Sequence, residues 1–112
     1  PDRALVSRML DAGALGIILS HAETAEQVED LVRWTKYAPE GERGLALGAN
    51  AGYDGSQVAR YCREANEATL VLLKVESPLG VRNSEAAMDV PGVDGVVFGP
   101  GDLSAKMGLH GQ

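Results

Sequence analysis

Apolar positions along the chain fall into two alternating rhythms, one helical and one short and continuous. Behind Asp2, a capping residue type, Leu5, Val6, Met9 and Leu10 keep a helical spacing, and Gly13 supplies a stop. Residues 14–19 (ALGIIL) then read as a short buried strand. Thr24-Ala25-Glu26-Gln27 is a capping-box pattern, so a second helix is expected with Val28, Leu31, Val32 and Thr35 on one face, running to about Tyr37 and ended by Pro39. Five glycines, Gly41, Gly44, Gly48, Gly52 and Gly55, leave room for only a short strand near residues 44–47 before a long loop. A third helix over residues 56–66 places Val58, Tyr61, Cys62 and Ala65 on one side, and residues 69–75 form the next strand. Ser77-Pro78 opens a helix with Val81, Ser84 and Met88 inward, Pro91-Gly92 breaks it, and residues 93–98 (VDGVVF) make a further strand. Gly99-Pro100-Gly101 then turns the backbone into a short helix from about Leu103.

Strands alternating with helices at this spacing imply right-handed crossovers and a parallel sheet. Two α/β architectures fit: a flavodoxin-like open sheet, or a partial (β/α)8 TIM barrel. A whole barrel needs about 250 residues, so 112 residues supply about half of one. Four strands cannot close a barrel, and their open edges call for further strands or a partner. The start at Pro1 and the end at Gly111-Gln112 point the same way: residues 1–112 are expected to be a fragment of one barrel domain, with flanking strands missing at both ends.

Composition removes several functions. The net charge is -6, with no Lys or Arg run, so the electrostatic footprint of a nucleic-acid or anionic-lipid binder is missing. Residues 12–20, the longest uncharged apolar stretch, fall far short of the ~20 residues of a membrane helix, and no basic-then-apolar leader opens the chain. A cytoplasmic location is the expectation. The single Cys62 has neither a disulfide partner nor zinc-site spacing and reads as a buried small apolar residue. Gly48-Ala49-Asn50-Ala51-Gly52 matches neither the dinucleotide fingerprint nor a P-loop, and a mobile loop at a site mouth is the preferred reading.

The chemistry gathers at strand ends. Glu76 follows the apolar run LVLLKV, and Asp102 follows VVFGPG, so two parallel strands deliver both carboxylates to one rim, where ligands of such sheets bind. Two carboxylates without soft ligands favour a hard divalent ion, magnesium or manganese. Two plainer readings stand beside this: Asp102 as the cap of a helix starting at Leu103, and Glu76 as a solvated strand end. The side-chain-poor Gly99-Pro100-Gly101 turn leaves the amides of Gly101 and Asp102 to face an anion such as a substrate carboxylate. His21, at the end of the first strand, reads as a polar cap or surface residue, and Arg43 and His110 are treated alike.

Stretches LDAGALGI (residues 10–17), ETAEQVEDLV (23–32), YAPEGERG (37–44), KVESPLGVRN (74–83) and VPGVDGVVFGPGDLSAKMG (90–108) together resemble the metal-dependent, pyruvate-specific class II aldolases, the 4-hydroxy-2-oxoheptanedioate aldolase and citrate lyase beta-subunit family. The resemblance implies a (β/α)8 barrel and cleavage of 4-hydroxy-2-oxo acids to pyruvate and an aldehyde through a metal-stabilised enolate. It also implies that Glu76 and Asp102 bind the ion, Mg2+ or Mn2+, that the amides of Gly101 and Asp102 hold the substrate carboxylate, and that the full-length protein is a homo-oligomer. The family's general-base histidine and its arginine fall upstream, so no catalytic residue is expected within these residues. One departure is Lys74, where relatives often carry glutamine. By alternation it shares a face with Leu70, Leu72 and Glu76, and it reads as a salt-bridge partner of Glu76, with substrate binding or a Schiff base as its other roles. Three rivals follow: a Schiff-base aldolase using Lys74, a non-catalytic 2-oxo acid or metal-binding module, and a citrate lyase-like acyl-thioester lyase.

Overall fold

Local chemistry sets the first helix: the Asp2 side chain accepts from the backbone N–H of Ala4 and Leu5 and caps α1 (Arg3–Asp11), and Gly13, at φ +109°, lets the chain leave it. The computed structural model describes residues 2–45 and 55–110. Of the four apolar positions expected to face inward, Val6 and Leu10 are buried, whereas Leu5 and Met9 are exposed. After β1 (Gly16–Leu19) comes α2 (Ala25–Thr35), whose capping box is complete: Thr24 Oγ1 accepts from the Gln27 N–H and the Gln27 side chain accepts from the Thr24 N–H. Its buried residues are the four expected, Val28, Leu31, Val32 and Thr35.

The next stretch departs from expectation. Gly44 and Leu45 form no strand, and residues 46 and 47 lie outside the described residues, as does the loop reading at residues 48–52. The backbone donors here turn back onto the end of α2 instead, Glu42 to the Arg33 carbonyl (2.6 Å) and Arg43 to the Lys36 carbonyl (2.9 Å), so they are spent before any ladder can form. Nor is there a place for a strand beside β1 on this side, because β1 pairs directly with β2 (Leu70–Val75). α3 (Gly55–Ala68) precedes β2 and has no buried residue. Cys62 is therefore half-buried rather than a core residue, because the helix keeps its apolar stripe partly open, Tyr61 leaning on the Tyr37 ring at 5.8 Å.

Beyond β2, the single helix expected from Ser77 is two short ones, α4 (Pro78–Arg82) and α5 (Ser84–Met88), broken at Asn83. That break re-aims the inward face: Gly80 and Ala87 are buried, while Val81 and Met88 are exposed. β3 (Gly95–Phe98) and α6 (Pro100–Lys106) complete the order.

The three strands form one parallel sheet in the order β1-β2-β3, with Ile18 opposite Leu72 and Lys74 opposite Val97. One face, carrying Ile17, Leu19, Val71 and Leu73, packs on Val6, Leu10, Val28, Leu31, Val32 and Ala87 from α1, α2 and α5 and forms the core. The other face, with Ile18 (57% exposed), Leu70 and Val97, is left uncovered by the described residues. A parallel sheet is normally covered on both faces, and here the described residues cover only one. No described helix is long and apolar enough to cross a membrane.

Candidate functional site

The carboxyl ends of all three strands meet at one rim. At the end of β2 the chain is pinned on both sides of Glu76: the Ala22 N–H donates to the Lys74 carbonyl (3.0 Å), and Ser77 caps α4, its Oγ accepting from the Gly80 N–H (3.1 Å) while donating to Glu23 Oε2 (2.8 Å). At the end of β3, the Gly99 N–H donates to the Val75 carbonyl (2.9 Å), extending the β2–β3 ladder to the site itself. A Cβ at Gly99 would stand 2.8 Å from Glu76 Cγ and 3.2 Å from Lys74 Cε. Only glycine lets the β3 turn approach the two charged side chains this closely.

α6 begins at Pro100, earlier than the expected Leu103, and this overturns the reading of Asp102 as a helix cap. Gly99 is the N-cap, no side chain caps the helix, and Asp102 lies within its first turn with its carboxylate exposed. Nor is Glu76 a solvated strand end: it is 2% exposed. Its Oε1 accepts from the His21 backbone N–H at 3.2 Å, and its Oε2 is 3.9 Å from Lys74 Nζ.

Glu76 and Asp102 come together at this rim and interact. A hydrogen bond with the Glu76 side chain holds the Asp102 carboxyl below the usual carboxylate range, with the positive charges of Lys106 and Lys74 acting in the same direction and desolvation opposing them. Two carboxyl groups so placed form a site that a hard dication would fit. Among the described residues no set of three or more His, Cys, Asp or Glu side chains gathers anywhere, so the pair offers two hard oxygen donors and leaves further positions for water and ligand oxygens.

Sequence reasoning undervalued His21 and passed over Lys106. His21 is exposed, as expected, yet its backbone amide reaches Glu76, and its ring Nδ1 lies 2.9 Å from Lys106 Nζ. The available signal for Lys106 was its spacing, four residues after Asp102 on one helix. Arg43 and His110 take no part at the rim. The Arg43 guanidinium is packed 4.5 Å over the Tyr37 ring and 3.1 Å from Asp11, and the His110 N–H closes the turn after α6 on the Ser104 carbonyl.

Comparison with known proteins identifies the family. Residues 2–112 match the family described as HpcH/HpaI aldolase/citrate lyase. The chain is 44% identical over 110 residues to a hydroxypyruvate/pyruvate aldolase of Roseobacter denitrificans, covering 96% of this chain and 42% of that protein. It is 38% identical over 107 residues to a 2-keto-3-deoxy-L-rhamnonate aldolase of Klebsiella pneumoniae, covering 96% and 40%. The crystal structure of an HpcH/HpaI aldolase from Desulfitobacterium hafniense superposes with a TM-score of 0.88 at 36% identity, over 100% of this chain and 43% of that one. The chain thus spans about two fifths of the length of these relatives, and its open sheet is part of their (β/α)8-type barrel. By sequence and fold together, the chain belongs to the HpcH/HpaI aldolase/citrate lyase family.

Proposed function

We propose that the full-length protein is a carbon–carbon lyase that cleaves 4-hydroxy-2-oxo acids to pyruvate and an aldehyde, using a divalent cation, magnesium or manganese, held by Glu76 and Asp102. One observation carries this: a carboxylate buried at the carboxyl rim of a parallel sheet and held there by a single backbone amide. The donor set fits a hard ion, being oxygen only. Burying an anion is unfavourable unless it is well paired, and Glu76, with one amide and an ammonium at 3.9 Å, keeps lone pairs free. The names of the two aldolase relatives support a 2-oxo acid as substrate.

When bound, the cation supplies a Lewis acid toward the keto oxygen of the substrate, an effect worth several kcal/mol. The chain's own residues do the rest of the positioning. The amides of Gly101 and Asp102, at a helix start that no side chain caps, receive the substrate carboxylate. Gly99 leaves the space in which Glu76 and Lys74 sit, and Lys74 offsets the negative charge of the carboxylate pair. The general base and the substrate-gripping arginine come from strands outside residues 1–112, which close the barrel over the uncovered sheet face, and the closed domain assembles as a homo-oligomer.

The test is pyruvate release by the full-length protein, read as NADH consumption through lactate dehydrogenase. Chelator should abolish cleavage, Mg2+ or Mn2+ should restore it, and Glu76→Gln should prevent restoration. Turnover that survives chelator, with borohydride trapping pyruvate on Lys74, would replace this assignment by Schiff-base chemistry. Binding of Mn2+ and pyruvate without cleavage would leave a non-catalytic module, and competition by coenzyme A would point to an acyl-thioester lyase.

A further inference from the structure

His21 adopts φ +53°, the left-handed region that non-glycine residues rarely enter. That conformation has a consequence at the rim. The His21 N–H donates to Glu76 Oε1 (3.2 Å) and the next N–H, of Ala22, donates to the Lys74 carbonyl (3.0 Å), so two successive amides of the turn after β1 grip the end of β2. The ring of the same residue is held from the far side of the sheet: Lys106 Nζ lies 2.9 Å from His21 Nδ1. An ammonium can only donate, so Nδ1 accepts and the imidazole proton sits on Nε2. Lys106 stands one helical turn after Asp102 on α6, and α6 follows β3. One side chain from the Asp102 helix therefore reaches across the rim to the turn that orients Glu76.

We infer that Lys106 and His21 are a positioning pair: Lys106 holds His21 in its left-handed conformation, and the His21 amide thereby fixes the Glu76 carboxylate beside Asp102 in the orientation a divalent cation requires. The inference rests on the metal reading of Glu76 and Asp102 proposed above. Neither Lys106 nor His21 is a ligand in it. Groups that orient a ligand carboxylate from behind affect metal affinity without touching the metal.

The sign of one substitution separates this role from simple charge. Lys106 is a cation near the carboxylate pair, so on Coulombic grounds Lys106→Met should tighten Mn2+ binding. Positioning demands the opposite. With the full-length protein and Mn2+ titrated by calorimetry, Lys106→Met and His21→Ala should each weaken binding about tenfold, and Glu76→Gln about a hundredfold. His21→Gly should bind within about twofold of wild type, because glycine takes the left-handed conformation without a ring to hold it. In the His21→Gly background Lys106→Met should then lose its effect, since the ring it grips is gone. Lys106→Met that leaves Mn2+ affinity unchanged or raised, while Glu76→Gln abolishes it, overturns the positioning pair alone. His21→Gly as weak as His21→Ala also overturns it. Glu76→Gln that binds Mn2+ like wild type overturns the metal reading and takes this inference with it.

Discussion

Two charged side chains are buried at opposite ends of β2, and the fold treats them in opposite ways. At the amino end, Lys36 (6% exposed) directs its Nζ at the carbonyls of Asn66 and Thr69, at 2.6 and 2.5 Å, where the C-terminal end of α3 favours a cation. Its surroundings are paired in turn: the Tyr37 N–H donates to Asn66 Oδ1 (2.7 Å), and Asn66 Nδ2 donates to the Tyr37 carbonyl (3.0 Å) and to Glu40 Oε2 (2.6 Å). At the carboxyl end, Glu76 receives one amide at 3.2 Å, an ammonium at 3.9 Å and, as its nearest acidic neighbour, a second carboxylate. A buried charge saturated by its own chain is a structural element. One placed beside a second acidic group, with acceptor capacity left over, is poised for something the chain does not supply.

Substitutions at the two ends should therefore separate stability from binding. Lys36→Met removes two charge-assisted hydrogen bonds and leaves buried carbonyls unpaired, so it should destabilise the full-length protein by about 3 kcal/mol in urea denaturation while the folded protein binds Mn2+ as before. Glu76→Gln should do the reverse. Its stability should equal or exceed wild type, since a buried carboxylate gives way to a neutral amide that still donates to Asp102, yet the stabilisation of about 2.7 kcal/mol that Mn2+ at a hundred times its Kd gives wild type should vanish. Equal destabilisation by the two substitutions would erase the distinction drawn between the ends.

A smaller effect sharpens it. Gly99→Ala adds no charge and removes none, but its Cβ would press on Glu76 Cγ at 2.8 Å. Displacing that carboxylate should cost about 1–2 kcal/mol of stability and about tenfold in Mn2+ affinity. Unchanged affinity in a folded Gly99→Ala protein would mean that the close approach of the β3 turn is packing alone.

What the letters revealed differs between the same two regions. Glu76 and Asp102 were legible because each sits where a strand-like apolar run ends, and parallel α/β topology then forces both to one rim. α2 was legible to its buried face, because Thr24 and Gln27 mark its start unambiguously. Lys36 gave no such signal, since its partners are backbone carbonyls 30 and 33 residues away, and backbone carries no sequence code. The break at Asn83 was hidden for a related reason: Asn83 Nδ2 donates to the Glu23 carbonyl (2.7 Å), a tertiary bond that diverts the residue from helix. The start of α6 at Pro100 was within reach, because proline favours the first helical position, but the glycines on either side read as loop. His21 was misjudged because the sequence shows a side chain, whereas the bond to Glu76 is made by its backbone.

The smallest predicted effect concerns Asp102 and pH. Its ordinary carboxyl pKa is 3.8, and in the fold it lies lower, first through the hydrogen bond with Glu76 and then through the positive charges of Lys106 and Lys74. A depressed folded value means that the unfolded chain takes up this proton at a higher pH than the folded one does. The stability contributed is therefore fully present above about pH 4 and is lost as pH falls through the folded value. The effect is small because Asp102 is exposed and solvent screens it. In the absence of divalent ions, the urea midpoint of wild type minus that of Asp102→Asn should be constant at neutral pH and should shrink on the acid side. A difference that stays level down to pH 3 would mean that the Asp102 carboxylate draws nothing from Glu76. The rim would then hold two independent acids, without the shared position that a dication needs.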